Sequence, residues 1–176
     1  MTLLVGFCGR ARHGKDWLAA EVHAALPRDT KVYSLANALK VYARVAGLMT
    51  KKDGPLLQAL GTEVFRRVRP NIWIDVLTYT IEEEAPRVAL IADVRFVNEH
   101  AWIKASGGLC YKVQRLNADG TPYLDLARNA SHASECQMDT IKEELFDGTV
   151  IATSGDLKTL AEAARLIAID IARRMT

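Results

Sequence analysis

Short apolar runs alternate along this chain with longer segments in which apolar residues recur every three or four positions. That alternation predicts βαβ units built around a parallel sheet. Leu3 to Cys8 is apolar at consecutive positions, as a strand buried on both faces is. Gly9 to Gly14 interrupts it, and Leu18, Val22 and Leu26 then mark a helix that Pro27 stops. Lys31 to Leu35 reads as a second strand and Ala36 to Gly47 as a helix ended by glycine. Pro55 opens another helix with the stripe Leu57, Leu60, Val64 and Val68. Pro70 ends it, and Asn71 is suited to cap a helix through Ile74, Leu77 and Ile81. Arg87 to Ala92 predicts a third strand with Asp93 at its carboxyl end. A helix from Asn98 to Gly107-Gly108, a strand over Leu109 to Val113 and a strand over Thr149 to Thr153 follow. Asp156 caps a last helix that carries Leu157, Leu160, Ala164, Ile167 and Ile171 on one face. Residues 115 to 135 show no period and read as a loop or lid. The expected fold is three-layer α/β, with five mostly parallel strands in one domain over 1–176.

Composition narrows the class. The chain has 176 residues, 49% of them hydrophobic and 25% charged, which excludes a disordered or collagenous chain. A chain of this length buries roughly 70% of its unfolded surface without metal or disulfide. With 23 basic and 21 acidic residues, the net charge of +2 is too balanced for a surface devoted to nucleic acid, so no stable nucleic-acid binding is expected. Cys8, Cys110 and Cys136 are far apart and form no CxxC pair, which suits free thiols in a reducing cytoplasm better than a zinc site. No apolar run reaches the length of a membrane span, and the first one is too short for a secretion signal. A soluble cytoplasmic protein with no membrane contact is the expectation. Whether it forms a homodimer is not written in the sequence.

The chemistry concentrates in Gly9, Arg10, Ala11, Arg12, His13, Gly14, Lys15 and Asp16, which follow a buried strand and open a helix. Two glycines let successive amides turn inward as an anion nest, and the helix amino end adds partial positive charge there. Lys15 supplies a cation that reaches the β and γ phosphates of a nucleoside triphosphate. Asp16 stands where such loops carry a serine or threonine for Mg²⁺, and a carboxylate serves the same metal. The bland alternative is an ordinary strand–turn–helix corner. Asp93 falls at the crevice where open α/β sheets bind ligands, either serving Mg²⁺ or capping the next helix. Arg95 is placed either to clamp a phosphate or to pair with Asp93 or Glu99. Glu63 and Arg67 have the spacing of a helical ion pair. Trp73 either floors a base or fills the core. Arg115 and Arg128 flank or sit in the lid, where they would neutralise a transferring phosphoryl group. His132, between two serines, reads as a loop hydrogen-bonder, and Glu135 as a partner for a lid arginine or a helix-start charge.

The Gly-Lys-Asp loop resembles that of phage-type deoxynucleoside monophosphate kinases, a variant that phosphomevalonate kinases share. Further segments carry the likeness in order: Leu60-Gly61-Thr62-Glu63-Val64 with Arg66-Arg67, Trp73-Ile74, Asp93-Val94-Arg95-Phe96 with Asn98-Glu99, Ser131 to Glu135, and Gly148 to Leu157. Trp17 and Asn71 depart from the pattern, standing where the family has a hydroxyl residue and often an acid. The resemblance implies a P-loop NTPase fold with an acceptor region over about 36–84 and a lid over about 115–135. It implies ATP and Mg²⁺ as cofactors, a deoxynucleoside monophosphate as partner substrate, and the host cytoplasm as location for a phage-encoded chain. By resemblance, Thr62, Glu63, Arg66, Trp73, Asp93, Arg95, His132 and Glu135 bind the acceptor. Gly9 to Trp17, Arg115, Ser154 and Gly155 bind ATP, Asp16 and Asp93 serve the metal, and Lys15, Asp93, Arg95 and Arg128 are catalytic. Two other readings stay open: a kinase of another small phosphorylated acceptor such as phosphomevalonate or dephospho-coenzyme A, and an ATP- or DNA-binding module without turnover that uses Arg66 to Arg69.

Overall fold

A computed structural model describes residues 2–51, 53–126 and 129–175. Five strands form one parallel sheet in the order β2-β3-β1-β4-β5. They are β1 (Leu3–Cys8), β2 (Thr30–Tyr33), β3 (Val88–Val94), β4 (Leu109–Leu116) and β5 (Gly148–Thr153). The helices are α1 (Lys15–Ala24), α2 (Asn37–Val45), α3 (Gly54–Gln58), α4 (Ile72–Glu84), α5 (Val97–Ala105), α6 (Ala133–Cys136) and α7 (Leu157–Arg174). A π-helical segment, Ala59–Arg66, continues α3.

Alternation along the strands makes two cores. Val5, Phe7, Leu90, Tyr111 and Val113 face α1 and α7, where Leu18, Val22, Leu160 and Ile167 cover them. Leu4, Cys8, Ile91 and Cys110 face the other way, under Leu39, Trp73, Leu77 and Ile103. The result is three layers, helix–sheet–helix. Asp156 caps α7 as the sequence predicts, its carboxylate accepting from the Thr159 amide at 3.0 Å.

β1 and β3 slip in register between Gly6↔Ile91 and Cys8↔Val94, so β3 holds one extra residue there. Val88, Leu90 and Ala92 consequently face one core and Val94 the other. Such a bulge re-aims a side chain next to a site, and here the residue at the slip is Asp93.

Several elements differ from the sequence expectation. β2 ends at Tyr33 rather than at residue 35, because the Ser34 hydroxyl and the Leu35 and Ala36 amides turn aside to the Asp93 carboxylate at 2.6, 2.7 and 3.2 Å. β4 runs on to Leu116, paired with Thr153, so Arg115 belongs to a strand and not to a lid. Asn71 does not cap α4 with its side chain; its Oδ1 accepts from Asn98 Nδ2 at 2.8 Å. The stripe Leu57, Leu60, Val64, Val68 is broken by the π turn. Val64 and Val68 are exposed, while Leu60 and Phe65, five apart, pack on the core. Five is the hydrogen-bond spacing of a π-helix.

Candidate active site

The loop between β1 and α1 is shaped by three left-handed residues, Gly9 (φ 142°), Arg12 (φ 58°) and Gly14 (φ 88°). At Gly9 only a glycine fits, since a Cβ there would stand 2.5 Å from the Val113 carbonyl oxygen. Arg12 costs about 1–2 kcal/mol in this conformation. Two contacts hold it there: Arg115 donates to its carbonyl at 3.2 Å, and its Nε meets Asp125 at 3.1 Å. The amides of Arg12 to Asp16 donate to no group among the described residues. They open on a cavity of about 460 Å³ lined by Ala11, Arg12, Gly14, Lys15, Asp16 and Trp17. Unpaired amides at a helix amino end are an anion site. The sheet order and this loop together make a P-loop fold.

Lys15 is 4% exposed, and its ammonium folds back on the Arg10 carbonyl at 2.5 Å. Burial, reinforced by the Arg95 charge, lowers its pKa to about 7, against the opposing pull of Asp16, Asp93 and Glu135. Two loop amides are already taken: Gly9 donates to the Val94 carbonyl at 3.2 Å, and Ala11 to Glu135 Oε2 at 2.9 Å. The Arg10 side chain leaves the cavity for Asp139. His13 is buried beneath the loop, with its two ring nitrogens facing the Val113 and Tyr123 carbonyls at 3.2 and 3.1 Å. Burial lowers its pKa, and a neutral imidazole donates to only one of the two. Both side chains anchor the loop and stay out of the cavity.

A second cavity, of about 630 Å³, lies under α2, the π segment and α4. Thr62, Arg66, Trp73, Asp93, Arg95 and Glu99 line it. The two cavities share Asp16, Gly54 and Arg95. Arg95 Nη1 meets Glu135 Oε1 at 2.8 Å, so one carboxylate joins the loop amide to this guanidinium. Arg66 lies 4.0 Å from the centroid of the Phe96 ring and pairs with Glu99 at 2.5 Å. Trp73 donates its indole N–H to Gly61 O at 3.2 Å, filling the core and the cavity wall together.

The metal candidates differ. The Asp16 carboxylate is exposed and faces both cavities. Both Asp93 oxygens are occupied by Ser34, Leu35 and Ala36, the turn that leads into α2. Asp93 does not cap α5, the helix that follows it, whose first turn is held by Glu99. Magnesium bound to nucleotide phosphates uses one or two carboxylates, and an open Asp16 meets that need. Among the described residues no three His, Cys, Asp or Glu side chains cluster as a metal site.

Arg115 donates to Ser154 Oγ at 2.9 Å and lies 4.1 Å over the Tyr123 ring, beside Gly155 (φ 89°). These groups form a wall beyond the loop. Glu63 is exposed, lines neither cavity and makes no ion pair with Arg67 among the described residues. His132 caps α6, accepting from the Ser134 amide at 3.2 Å, and lines neither cavity. Arg128 lies outside the described residues. No expectation from the sequence put Glu99, Lys40, Gln58 and Ser134 on the wall of the larger cavity, which they line. The Asp53 cap and Pro55 at the start of α3 were the available signal for Gln58.

No protein-family model matches the chain, and no curated protein does. Among solved structures it is similar to the tunicamycin resistance protein of Deinococcus radiodurans, at 16% identity over 97% of this chain and 96% of that one, with a TM-score of 0.48. It is also similar to an unliganded sugar kinase from Janibacter sp. HTCC2649, at 12% identity over 100% of this chain and 99% of that one, with a TM-score of 0.49. At these values neither likeness brings a function to this chain. Among the described residues no helix is long and apolar enough to cross a membrane.

Proposed function

We propose that the protein is a phosphotransferase that moves the γ-phosphoryl of ATP to the 5′-phosphate of a deoxynucleoside monophosphate, giving the diphosphate. One observation carries this reading: an anion-binding loop cavity and a second, cation-bearing cavity meet at Asp16, Gly54 and Arg95. Two anions held on either side of that junction are aligned for direct transfer. The acceptor class comes from the resemblance of the segments around Arg66, Trp73 and Arg95.

An acceptor phosphate monoester has a second pKa near 6 and is mostly ionised at neutral pH. Its oxygen attacks the γ-phosphorus directly, the bond to the β,γ-bridging oxygen breaks, and the electron pair leaves with ADP. No side-chain base is required. The amides of Arg12 to Asp16 hold the donor phosphates, and Lys15 exchanges the Arg10 carbonyl for them. Arg66 and Arg95 hold the acceptor phosphate. Arg95, at the junction, also faces the charge that spreads over the transferring group. Asp16, open to both cavities, would hold Mg²⁺. The metal, when bound, neutralises phosphate charge. Arg115 and Tyr123 shelter the donor end, and exclusion of water keeps ATP from hydrolysis.

The test is ADP release against dAMP, dGMP, dCMP, dTMP, their ribose analogues, phosphomevalonate and dephospho-coenzyme A. A deoxynucleoside monophosphate should be required for release. Turnover with a non-nucleotide acceptor alone, or with none, would overturn the reading.

A further inference from the structure

Glu99 stands out among the carboxylates around the larger cavity. It is 1% exposed, on the first turn of α5, and it collects three donors. Oε1 receives Arg66 Nη2 at 2.5 Å; Oε2 receives the Arg95 amide at 2.7 Å and the Phe96 amide at 3.0 Å. Burial raises its pKa, and the Arg66 charge works against that rise.

Little else fixes the Arg66 guanidinium. Among the described residues its other polar contact is a long one, Nη1 to the Pro70 carbonyl at 3.5 Å, and its flat face rests on Phe96. Arg66 closes the π-helical turn, so ordinary helical packing does not set its direction. The ion pair with Glu99 does. The other oxygen of the same carboxylate pins the bend between β3 and α5, from which the Arg95 side chain sets out toward Glu135. One buried carboxylate therefore ties together two arginines that line the same cavity, Arg66 by its side chain and Arg95 by its backbone. A carboxylate that only capped α5 would need just the two amides.

We infer that Glu99 is a positioning residue for the acceptor phosphate, acting through Arg66 and through the backbone of Arg95. This rests on the kinase reading for the identity of the acceptor, but not for the presence of an anion in the cavity. Glu99→Gln removes the charge and one acceptor while keeping the length of the side chain.

The experiment compares wild type, Glu99→Gln, Arg66→Ala and the double variant, varying acceptor and ATP separately. Glu99→Gln should raise the acceptor KM at least about tenfold and leave the ATP KM within about twofold. Because the two residues act as one unit, Glu99→Gln should add less than about threefold when Arg66 is already alanine. An unchanged acceptor KM, a parallel rise in both KM values, or losses that multiply would overturn the inference. If the neutral variant does not fold, Glu99→Asp carries the same test: it keeps the charge, is too short to reach Arg66 and both amides, and should raise the acceptor KM alone.

Should wild type consume ATP with no acceptor, the kinase reading fails and calorimetry with inorganic phosphate takes over. It is run in the Lys15→Ala background, which takes the cation from the loop and leaves only its amides to compete for phosphate. Phosphate affinity should still fall at least about tenfold on adding Glu99→Gln; an unchanged affinity would refute the role of Glu99.

Discussion

Arg95 and Glu135 meet at 2.8 Å where the two cavities join, and the second oxygen of Glu135 holds the Ala11 amide at 2.9 Å. A carboxylate on α6 thus links the loop between β1 and α1 to the cation at the junction. Neither partner is fully exposed, so removing one charge leaves the other poorly solvated, which costs more than breaking a solvated ion pair.

Glu135→Gln should therefore disturb both substrates. We expect kcat to fall roughly tenfold to a hundredfold, since a charge-assisted hydrogen bond contributes about 1.5–3 kcal/mol. The KM values for ATP and acceptor should rise together. Steady-state kinetics with each substrate varied in turn distinguishes this from Glu99→Gln, whose effect falls on the acceptor alone.

Lys15→Ala should lower phosphoryl transfer by roughly a thousandfold or more, because it removes a cation from the developing charge. The melting temperature should not drop in proportion, because the ammonium is buried at a desolvation cost in the free protein. Activity assays beside a thermal melt check both halves.

The lowered pKa of Lys15, about 7, has a measurable sign. Between this value and its ordinary range the unfolded chain binds more protons at Lys15 than the native one, so its contribution to stability grows as pH rises through that window. A bound triphosphate places anions beside the amine and raises its pKa. At pH 8, ATP binding should take up protons, and affinity should weaken as pH climbs toward 10. Calorimetry in two buffers of different ionisation enthalpy reads the uptake directly.

Gly9→Ala and Gly47→Ala separate packing from conformation. Both glycines have positive φ, but a Cβ at Gly9 would strike the Val113 carbonyl at 2.5 Å, whereas nothing lies within 4 Å of one at Gly47. Gly47→Ala should cost about 1–2 kcal/mol of stability and leave activity intact. Gly9→Ala should cost more and abolish ATP binding, because β1 and β4 must part at the loop. Denaturant melts and nucleotide titration check these outcomes.

How much of this was legible in the sequence varies by element. Leu3 to Cys8 and Arg87 to Ala92 are apolar at nearly every position because both faces of the sheet are covered, and that pattern is local. The Gly9–Gly14–Lys15 loop was legible for the same reason. Val64 and Val68 misled, because a helix of period 3.6 places them with Leu60, while the π turn brings Phe65 round instead. A wide turn of that kind has no compositional mark. Asp93 was recognised at the crevice, but its capture by Ser34, Leu35 and Ala36 depends on the bulge in β3, a property of pairing between strands. Glu99 reads as an ordinary acid in the first turn of a helix. Its role arises only when Arg66, 33 residues earlier, folds over Phe96.

The central claim is that donor and acceptor occupy neighbouring cavities and exchange a phosphoryl group directly. The sharpest measurement is a single-turnover reaction with ATP labelled in the γ-phosphate, offered each of the four deoxynucleoside monophosphates in turn. Label should pass to the β-position of a deoxynucleoside diphosphate, with little inorganic phosphate, and Lys15→Ala should show none of this transfer. Label released only as inorganic phosphate, whichever acceptor is present, would contradict it.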